Sequence, residues 1–167
     1  SYQVDKLLTS VNSHYDRVSM HGLRRELLQK QIEAIGIPGI TIELTEQPTN
    51  VQYEAIMKTA VDNLLQEGYE YAGFGDIFLE DLKAYREKQL EPFGIKAMFP
   101  LWKKDTKALL NEFISLGFKA ITVCVDGSKL DASFVGRIID EDFIADLPEN
   151  VDICGENGEF HTFCFDG

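Results

Sequence analysis

Four successive segments of the chain follow one order: an amphipathic helical stretch, a glycine where the helix would end, and a short β-rich run. The four glycines are Gly36, Gly68, Gly94 and Gly117. A glycine just past a helix accepts the left-handed backbone conformation that closes it. Strands that alternate with helices are typical of a parallel sheet covered by helices on both faces. The sequence therefore predicts an α/β fold with a doubly wound parallel sheet.

The two ends of the chain depart from this order. Residues 4–11 are predicted to form a first strand, although no helical segment precedes them. Near the other end, residues 140–147 indicate a short acidic helix, and Asn157-Gly158 lies between two alternating segments. Asn-Gly in that setting favours a two-residue β-hairpin turn. We therefore expect a C-terminal β-hairpin extension in which Glu156 and Glu159 lie directly opposite each other.

Opposed carboxylates in a hairpin are unfavourable by a few tenths of a kcal/mol to about 1 kcal/mol. A sequence that keeps them either leaves both in solvent or uses them. The uses open to Glu156 and Glu159 are binding of Mg²⁺, binding of a substrate ammonium group, and general base catalysis.

In open α/β sheets, ligands bind beyond the carboxyl ends of the strands. That rule selects residues 10–12, 45–46, 75–76, 101–102 and 125–126. Gly75-Asp76 is the richest of these positions, because the glycine allows close backbone approach and Asp76 lies where a strand leads into a helix. The alternative is that Asp76 only caps that helix, with Glu80 and Asp81 complementing the helix dipole.

Three further groups are candidates. His21, between Met20 and Gly22 before the first helix, could donate to a phosphate or carbonyl oxygen or lie in a surface loop. Trp102 could form a pocket wall or fill the core. Cys154 is a weak candidate nucleophile, since cysteines of this kind usually serve packing.

Charge and cysteine content narrow the classes of protein. The formal net charge of −12 disfavours binding to a nucleic-acid backbone, although loops and helix ends can still hold a small nucleotide. No apolar run is long enough to predict a membrane span. Three cysteines without a C-x-x-C pair favour reduced thiols, so we expect a cytoplasmic protein.

Four motifs together resemble the diphthine–ammonia ligase-like proteins, including their short bacterial members. These proteins are a branch of N-type ATP pyrophosphatases in the adenine nucleotide alpha hydrolase superfamily, whose sheet is Rossmann-like. The motifs are Met-His-Gly at 20–22, Phe-Gly-Asp-Ile-Phe-Leu-Glu-Asp at 74–81, Phe-Pro-Leu-Trp at 99–102, and Cys-Gly-Glu-Asn-Gly-Glu-Phe-His-Thr-Phe at 154–163.

The resemblance implies an ATP- and Mg²⁺-dependent amidation. ATP adenylylates a carboxylate, pyrophosphate leaves, and ammonia displaces AMP. In archaeal and eukaryotic members the acceptor is diphthine on elongation factor 2. Bacteria lack diphthamide, so a bacterial member would use another acceptor. A homodimer is compatible with the sequence.

The resemblance also implies roles for residues at three places. Catalytic roles fall to His21, Asp76, Glu156 and Glu159, with Asp76 expected as the Mg²⁺ ligand. The nucleotide would contact Ser10, Val11, Asn12, Met20, His21, Gly22, Gly75 and Asp76. The acceptor side would be formed by Glu80, Trp102, Cys154, Gly155, Asn157, His161 and Thr162.

The chain departs from the family pattern in two respects. The Ser-Gly-Gly-x-Asp-Ser pyrophosphate loop has no counterpart here, so we expect the first strand–loop–helix unit to be missing. The family pattern also continues past residue 167. Residues 1–126 would form the nucleotide-binding domain and residues 127–167 the acceptor-side segment. We expect this chain to fold but to bind ATP poorly and release no pyrophosphate.

Two other classes of function stay open at this point. The chain could be an adenine-nucleotide-binding module without chemistry, or an amidohydrolase that uses Cys154 and His161. Pyrophosphate release in the presence of ATP and ammonia distinguishes a ligase from a nucleotide-binding module. An activity that is insensitive to iodoacetamide would eliminate the amidohydrolase.

Overall fold

Helices and strands alternate along most of the chain in a computed structural model that describes residues 2–167. The strands are β1 (Leu7–Asn12), β2 (Arg17–Val18), β3 (Gly39–Leu44), β4 (Tyr71–Gly73), β5 (Lys96–Met98), β6 (Lys119–Val125) and β7 (Phe160–Asp166). The helices are α1 (Arg25–Ile35), α2 (Asn50–Gln66), α3 (Glu80–Leu90), α4 (Thr106–Ser115) and α5 (Glu141–Asp146), with 3₁₀ turns at Glu91–Phe93 and Ala132–Phe134.

The helix boundaries follow from local chemistry. Thr49 starts α2 with a reciprocal capping box to Gln52, while Asp105 and Asp140 accept the backbone N–H groups that open α4 and α5. Gly36 ends α1 at a φ of 72°, where its N–H donates to the carbonyl of Ile32. The helix predicted near 140–147 is thus confirmed as α5.

The strands pair within three small sheets in the described residues, in the orders β2-β1-β3, β4-β5 and β6-β7. β1 with β3 and β4 with β5 are parallel pairs joined through a helix, whereas β6 and β7 are antiparallel. The α/β class is confirmed. The single doubly wound sheet stays a prediction, because these short strands do not join into one continuous sheet.

The first strand begins later than predicted. Val4 is 59% exposed and lies outside β1, which starts at Leu7 and buries Val11 completely. The N–H of Leu7 donates to the carbonyl of Pro38 and opens the parallel ladder with β3.

The predicted C-terminal hairpin around Asn157-Gly158 is wrong. Residues 151–156 form successive turns instead of a strand, since the carboxylate of Asp152 accepts the N–H groups of Cys154 and Glu156 and curls the chain. β7 pairs with β6, and this pairing buries Phe160 in a core cluster. A long-range partner therefore prevailed over the local turn preference.

Two core clusters hold the fold together. The larger one, the Phe143 cluster, lies between α4, β6, α5 and β7. Its buried members are Leu110, Ala120, Leu130, Phe134, Ile139, Phe143, Val151 and Phe160. A smaller one joins Val61, Leu90 and Ile95 beside β4 and β5. The domain division predicted at 126/127 stays a prediction, and the Phe143 cluster extends across it.

Candidate functional site

A cleft of about 570 Å³ opens where β1 and β3 end. Its walls come from the end of β1, the turn that leads into β2, and the loop between β3 and α2. This is the carboxyl end of a parallel strand pair, where α/β sheets bind ligands. Four residues predicted to contact a nucleotide line the cleft: Ser10, Asn12, Met20 and Gly22.

Asn12 holds the walls of this cleft together. Its amide nitrogen donates to the carbonyls of Thr45 and Glu46, at 3.3 and 3.1 Å, while its side-chain oxygen accepts the N–H groups of His14 and Tyr15. All of these contacts are local to the cleft, so Asn12 fixes its shape. Val11, predicted beside it, buries its side chain away from the cleft.

The cleft also contains residues that the sequence analysis did not select. Tyr15, Arg17, Ser19 and Tyr53 line it, beside Glu46 from the strand end that was selected at residues 45–46. The hydroxyl of Tyr15 donates to a carboxylate oxygen of Glu46 at 2.6 Å. Glu46, the acidic side chain of the cleft, is thus already hydrogen-bonded. The tyrosines add aromatic surface of the kind that small-molecule sites use.

The turn at residues 20–22 is backbone-strained. Met20 adopts a φ of 67° although it carries a side chain, and that side chain is 88% exposed. Non-glycine residues rarely occupy this region, and such strain often occurs at binding sites. The turn presents His21 to the C-terminal part of the chain.

His21 and His161 lie in contact, with ring centroids 4.5 Å apart. Partial desolvation and then the neighbouring His161 lower the pKa of His21 below its ordinary value. Two residues from distant motifs are thus brought together. Gln31 adds a second link between the same regions, since its amide donates to the carbonyl of Cys164 at 2.8 Å.

Asp76 is buried and paired with an arginine, so the interpretation as a helix cap is wrong. Leu79 precedes α3 without any side-chain cap, whereas Arg86 donates to both carboxylate oxygens of Asp76, at 2.6 and 3.3 Å. The guanidinium also lies over the ring of Phe74, 4.6 Å from its centroid. Neither Gly75 nor Asp76 lines the cleft.

The residues around Asp76 do not fit a bound Mg²⁺. Both oxygens of the carboxylate already face Arg86, and the described residues hold no group of three or more His, Cys, Asp or Glu side chains that could bind a metal ion. A magnesium ligand needs carboxylate oxygens free to coordinate.

Glu156 and Glu159 do not face each other, which corrects the expectation of opposed carboxylates. Glu156 reaches away and accepts the N–H of Ile77 at 2.6 Å. Glu159 points inward and is 2% exposed; its Oε1 accepts the N–H of Asp152 and the amide of Asn157. The interpretation of both as solvated turn residues is also wrong.

The environment of Glu159 keeps it ionised. Burial alone raises the pKa of this carboxyl, but the hydrogen bonds from Asp152 and Asn157 outweigh it, and the pKa lies below its ordinary value. Its second oxygen, Oε2, is buried without a hydrogen-bond partner among the described residues. Glu159 thereby organises the 152–159 loop.

Cys154 is a packing residue. Burial, followed by the nearby Asp152, Glu156 and Asp105 carboxylates, raises the pKa of its thiol to about 12. Its S–H donates to the carbonyl of Thr106, and its side chain packs against the Phe143 cluster. A thiol with this pKa is a poor nucleophile at neutral pH. All three cysteines of the chain are free thiols.

The remaining acceptor-side residues lie on several surfaces. Exposed Glu80 pairs with Lys103, and Trp102 packs against Phe99 beneath the ammonium group of Lys83. Gly155 is confined, because a Cβ there would lie 2.9 Å from the carbonyl oxygen of Phe160. Asn157 and Thr162 are exposed, on the loop and on β7 respectively.

Within residues 2–167, no helix is both long enough and apolar enough to cross a membrane.

Comparisons with known proteins agree with the motifs. Residues 105–167 match the family described as the diphthamide synthase C-terminal domain. The similarity to the diphthine–ammonia ligase-like family that the motifs predicted is thereby confirmed, and it extends to individual relatives.

Three of these relatives are named diphthine–ammonia ligase. The zebrafish (Danio rerio) protein is 37% identical over 83 residues, which cover 47% of this chain and 31% of that protein. The Schizosaccharomyces pombe protein is 30% identical over 93 residues, covering 51% and 15%. The human protein is 29% identical over 110 residues, covering 62% and 41%. The chain thus spans less than half the length of each of these relatives.

Proposed function

We propose that this chain belongs to an ATP-dependent ligase that joins ammonia to a carboxylate, similar to the diphthine–ammonia ligases. The observation that most supports it is the 2.6 Å hydrogen bond from the N–H of Ile77 to Glu156. It fastens the family's C-terminal motif to the loop that follows β4, where an α/β sheet binds substrates.

The reaction has two steps. A carboxylate oxygen of the acceptor attacks the α-phosphorus of ATP, and the bond to the pyrophosphate group breaks. Ammonia then attacks the acyl carbon of the adenylate, AMP leaves with the bonding electrons, and the attacking nitrogen gives up a proton. Both steps proceed best in a site that excludes water and stabilises developing negative charge.

The cleft beside β1 is the proposed nucleotide site. Ser10, Asn12, Met20 and Gly22 line it, and the Tyr15 and Tyr53 rings offer surface for an adenine. The 155–162 segment is the proposed acceptor side, with His161 next to His21 as the junction of the two. No step is assigned to Mg²⁺, because the carboxylate of Asp76 is engaged by Arg86.

The acceptor and the setting are also proposals. Diphthine is the acceptor suggested by the names of the relatives, and the motif resemblance implies that it is carried on elongation factor 2. Three free thiols support a cytoplasmic location. A doubly wound sheet would place the ends of β1 and β4 on the same side.

The test is to measure AMP and pyrophosphate formed from ATP, ammonium chloride and a diphthine-bearing acceptor protein by this chain extended upstream with the Ser-Gly-Gly-x-Asp-Ser loop of the family pattern, since the chain without that loop is expected to release no pyrophosphate. We expect both products in equal amounts, and only with ammonia and acceptor present. Glu156→Ala removes the hydrogen-bond acceptor for Ile77 and should lower the rate about 10- to 100-fold, as small misplacements in active sites do. Glu149→Ala, at an exposed residue, is the matched control. ADP formation, or products independent of ammonia, would contradict the ligase.

A nucleotide-binding module without chemistry is the second candidate. It is favoured by the buried, hydrogen-bonded state of Glu159 and the raised pKa of Cys154, since neither group is available as a base or nucleophile. Nucleotide binding without any pyrophosphate release would select this function over the ligase.

A further inference from the structure

Arg17 is a cation without a carboxylate partner. It forms no ion pair with any Asp or Glu of residues 2–167, and its exposed side chain makes one hydrogen bond there, of 2.6 Å, to the carbonyl of Gly22. The neighbouring Arg25, by contrast, is held between Asp16 and Glu43. Arg17 differs in its position from the other cations of residues 2–167 that form no ion pair. Those residues are Arg24, Lys88, Lys96, Lys104 and Lys107, and none of them lines the cleft.

Arg17 also lies in the cleft, where it is the only Lys or Arg among the lining residues of the described chain. The only acidic side chain there, Glu46, already accepts the hydroxyl of Tyr15. No ion pair joins Arg17 to Glu46, so the guanidinium has no carboxylate partner among the residues that line the cleft.

The hydrogen bond to the carbonyl of Gly22 orients the guanidinium of Arg17 and leaves its other N–H donors available. Arginine carries five N–H donors, and a single one donates to the carbonyl of Gly22. The strained turn, with φ of 67° at Met20 and 68° at Gly22, fixes that carbonyl. The remaining donors can bind an anion with two parallel hydrogen bonds, the geometry that phosphate accepts.

A second polar group of the cleft lacks a partner. The hydroxyl of Ser19 is buried and makes no hydrogen bond within the described residues. Buried polar groups are nearly always hydrogen-bonded, so the Ser19 hydroxyl is a group of the cleft with which a bound ligand can form a hydrogen bond.

We infer that Arg17 binds the phosphate group of a nucleoside phosphate held in this cleft. The inference rests on the proposed function, in that the cleft is taken to hold an adenine nucleotide. The volume of about 570 Å³ lies within the range of small-molecule sites, and the tyrosines supply the surface for a base. Arg17 thus distinguishes a nucleotide from its nucleoside.

The test compares AMP with adenosine by titration calorimetry on the whole chain. Arg17→Gln should weaken AMP binding about 10- to 100-fold, as expected for the loss of charge-assisted hydrogen bonds. Adenosine binding should change less than about twofold, because adenosine lacks the anion. Arg17→Lys should retain part of the AMP affinity, since lysine keeps the charge but loses the planar fork.

Arg24 provides a matched control. It lies opposite Arg17 in an isolated backbone bridge, is exposed, and lies outside the cleft lining. Arg24→Gln should leave both affinities unchanged. Circular dichroism and thermal melts of each variant exclude misfolding as the cause of a loss.

Three results would overturn the inference. They are AMP binding that survives Arg17→Gln, equal losses for AMP and adenosine, and a wild-type chain that binds neither. The proposed function fails separately: Arg17-dependent AMP binding without ammonia-dependent pyrophosphate release would retain the phosphate site and exclude the ligase.

Discussion

Arg86 places its guanidinium on the buried carboxylate of Asp76, with Nε 2.6 Å from Oδ2 and Nη2 3.3 Å from Oδ1. Ten residues separate the two, and Arg86 approaches from the second turn of α3. The pair fixes the loop between β4 and α3, whose Ile77 N–H donates to Glu156. The Arg86–Asp76 pair therefore supports the contact between the motif at residues 74–81 and the motif at residues 154–163.

Replacing Asp76 should destabilise the protein. Asp76→Asn leaves Arg86 without its counter-charge, and because Arg86 is still 33% exposed we expect a loss of about 1–3 kcal/mol, below the range for fully buried pairs. Urea denaturation measures it. Glu80→Gln, which breaks the exposed pair with Lys103, should change stability by less than about 0.5 kcal/mol. Equal effects of the two substitutions would contradict this account.

Glu159→Gln should destabilise the protein by about 1–3 kcal/mol. The glutamine side chain would place its NH₂ group at the buried position of Oε2, where the described residues offer no hydrogen-bond acceptor. The predicted hairpin, with Glu156 and Glu159 opposed, would instead make Glu159→Gln stabilising, because the substitution would relieve the repulsion between the two carboxylates. A variant as stable as the wild type would contradict the buried position of Glu159.

The same substitution has a pH dependence. The folded-state pKa of Glu159 lies below its ordinary value of 4.5, so its contribution is present above that pH and is lost as pH falls through the folded value. The stability gap between the wild type and Glu159→Gln should hold constant from pH 7 to about pH 5 and narrow below 4.5. Denaturation series at several pH values measure this gap.

Cys154 should resist alkylation in the folded protein. With a thiol pKa of about 12, roughly one molecule in ten thousand carries the thiolate at pH 8. Mass spectrometry after iodoacetamide treatment should find Cys154 unmodified in the native protein and modified in urea. Cys154→Ala should leave pyrophosphate release intact. Rapid alkylation of Cys154 in the folded protein would contradict the raised thiol pKa and would favour the amidohydrolase hypothesis.

His21 should make the fold sensitive to mild acid. Its pKa is lowered in the folded state, so the unfolded chain binds more protons, and stability should fall as pH drops below the ordinary value of 6.5. NMR titration should show the pKa of His21 moving upward in His161→Gln, because a neighbouring imidazole is removed. A titration curve of His21 that is the same in both proteins would show that the ring contact does not matter.

The sequence predicted those features that depend on local patterns. Helix periodicity with a closing glycine located α1, and the strand-end rule selected Ser10 and Asn12. The partners of buried charges could not be found this way. No local spacing indicates that Arg86 reaches back to Asp76 or that Ile77 donates to Glu156.

The prediction of a C-terminal hairpin was also wrong because it considered only local sequence. Asn-Gly favours a tight turn, yet a strand pairs with whichever partner buries the most apolar surface. For β7 that partner is β6, which lies far upstream and brings Phe160 onto Phe143, with ring centroids 5.5 Å apart. Arg17 was overlooked because a lone arginine in a two-residue strand forms no sequence pattern, and its place in the cleft is known only from the structure.

The Phe143 cluster takes every one of its members, buried or partly buried, from residues after the cap at Asp105. The cluster around Val61 and Ile95 shares none of them. Amide hydrogens of α4, β6 and β7 should accordingly exchange with solvent as one cooperative group, at a rate separate from that of β1 and β3. The cleft at the ends of β1 and β3 can then open and close independently of the scaffold that carries the acceptor-side loop.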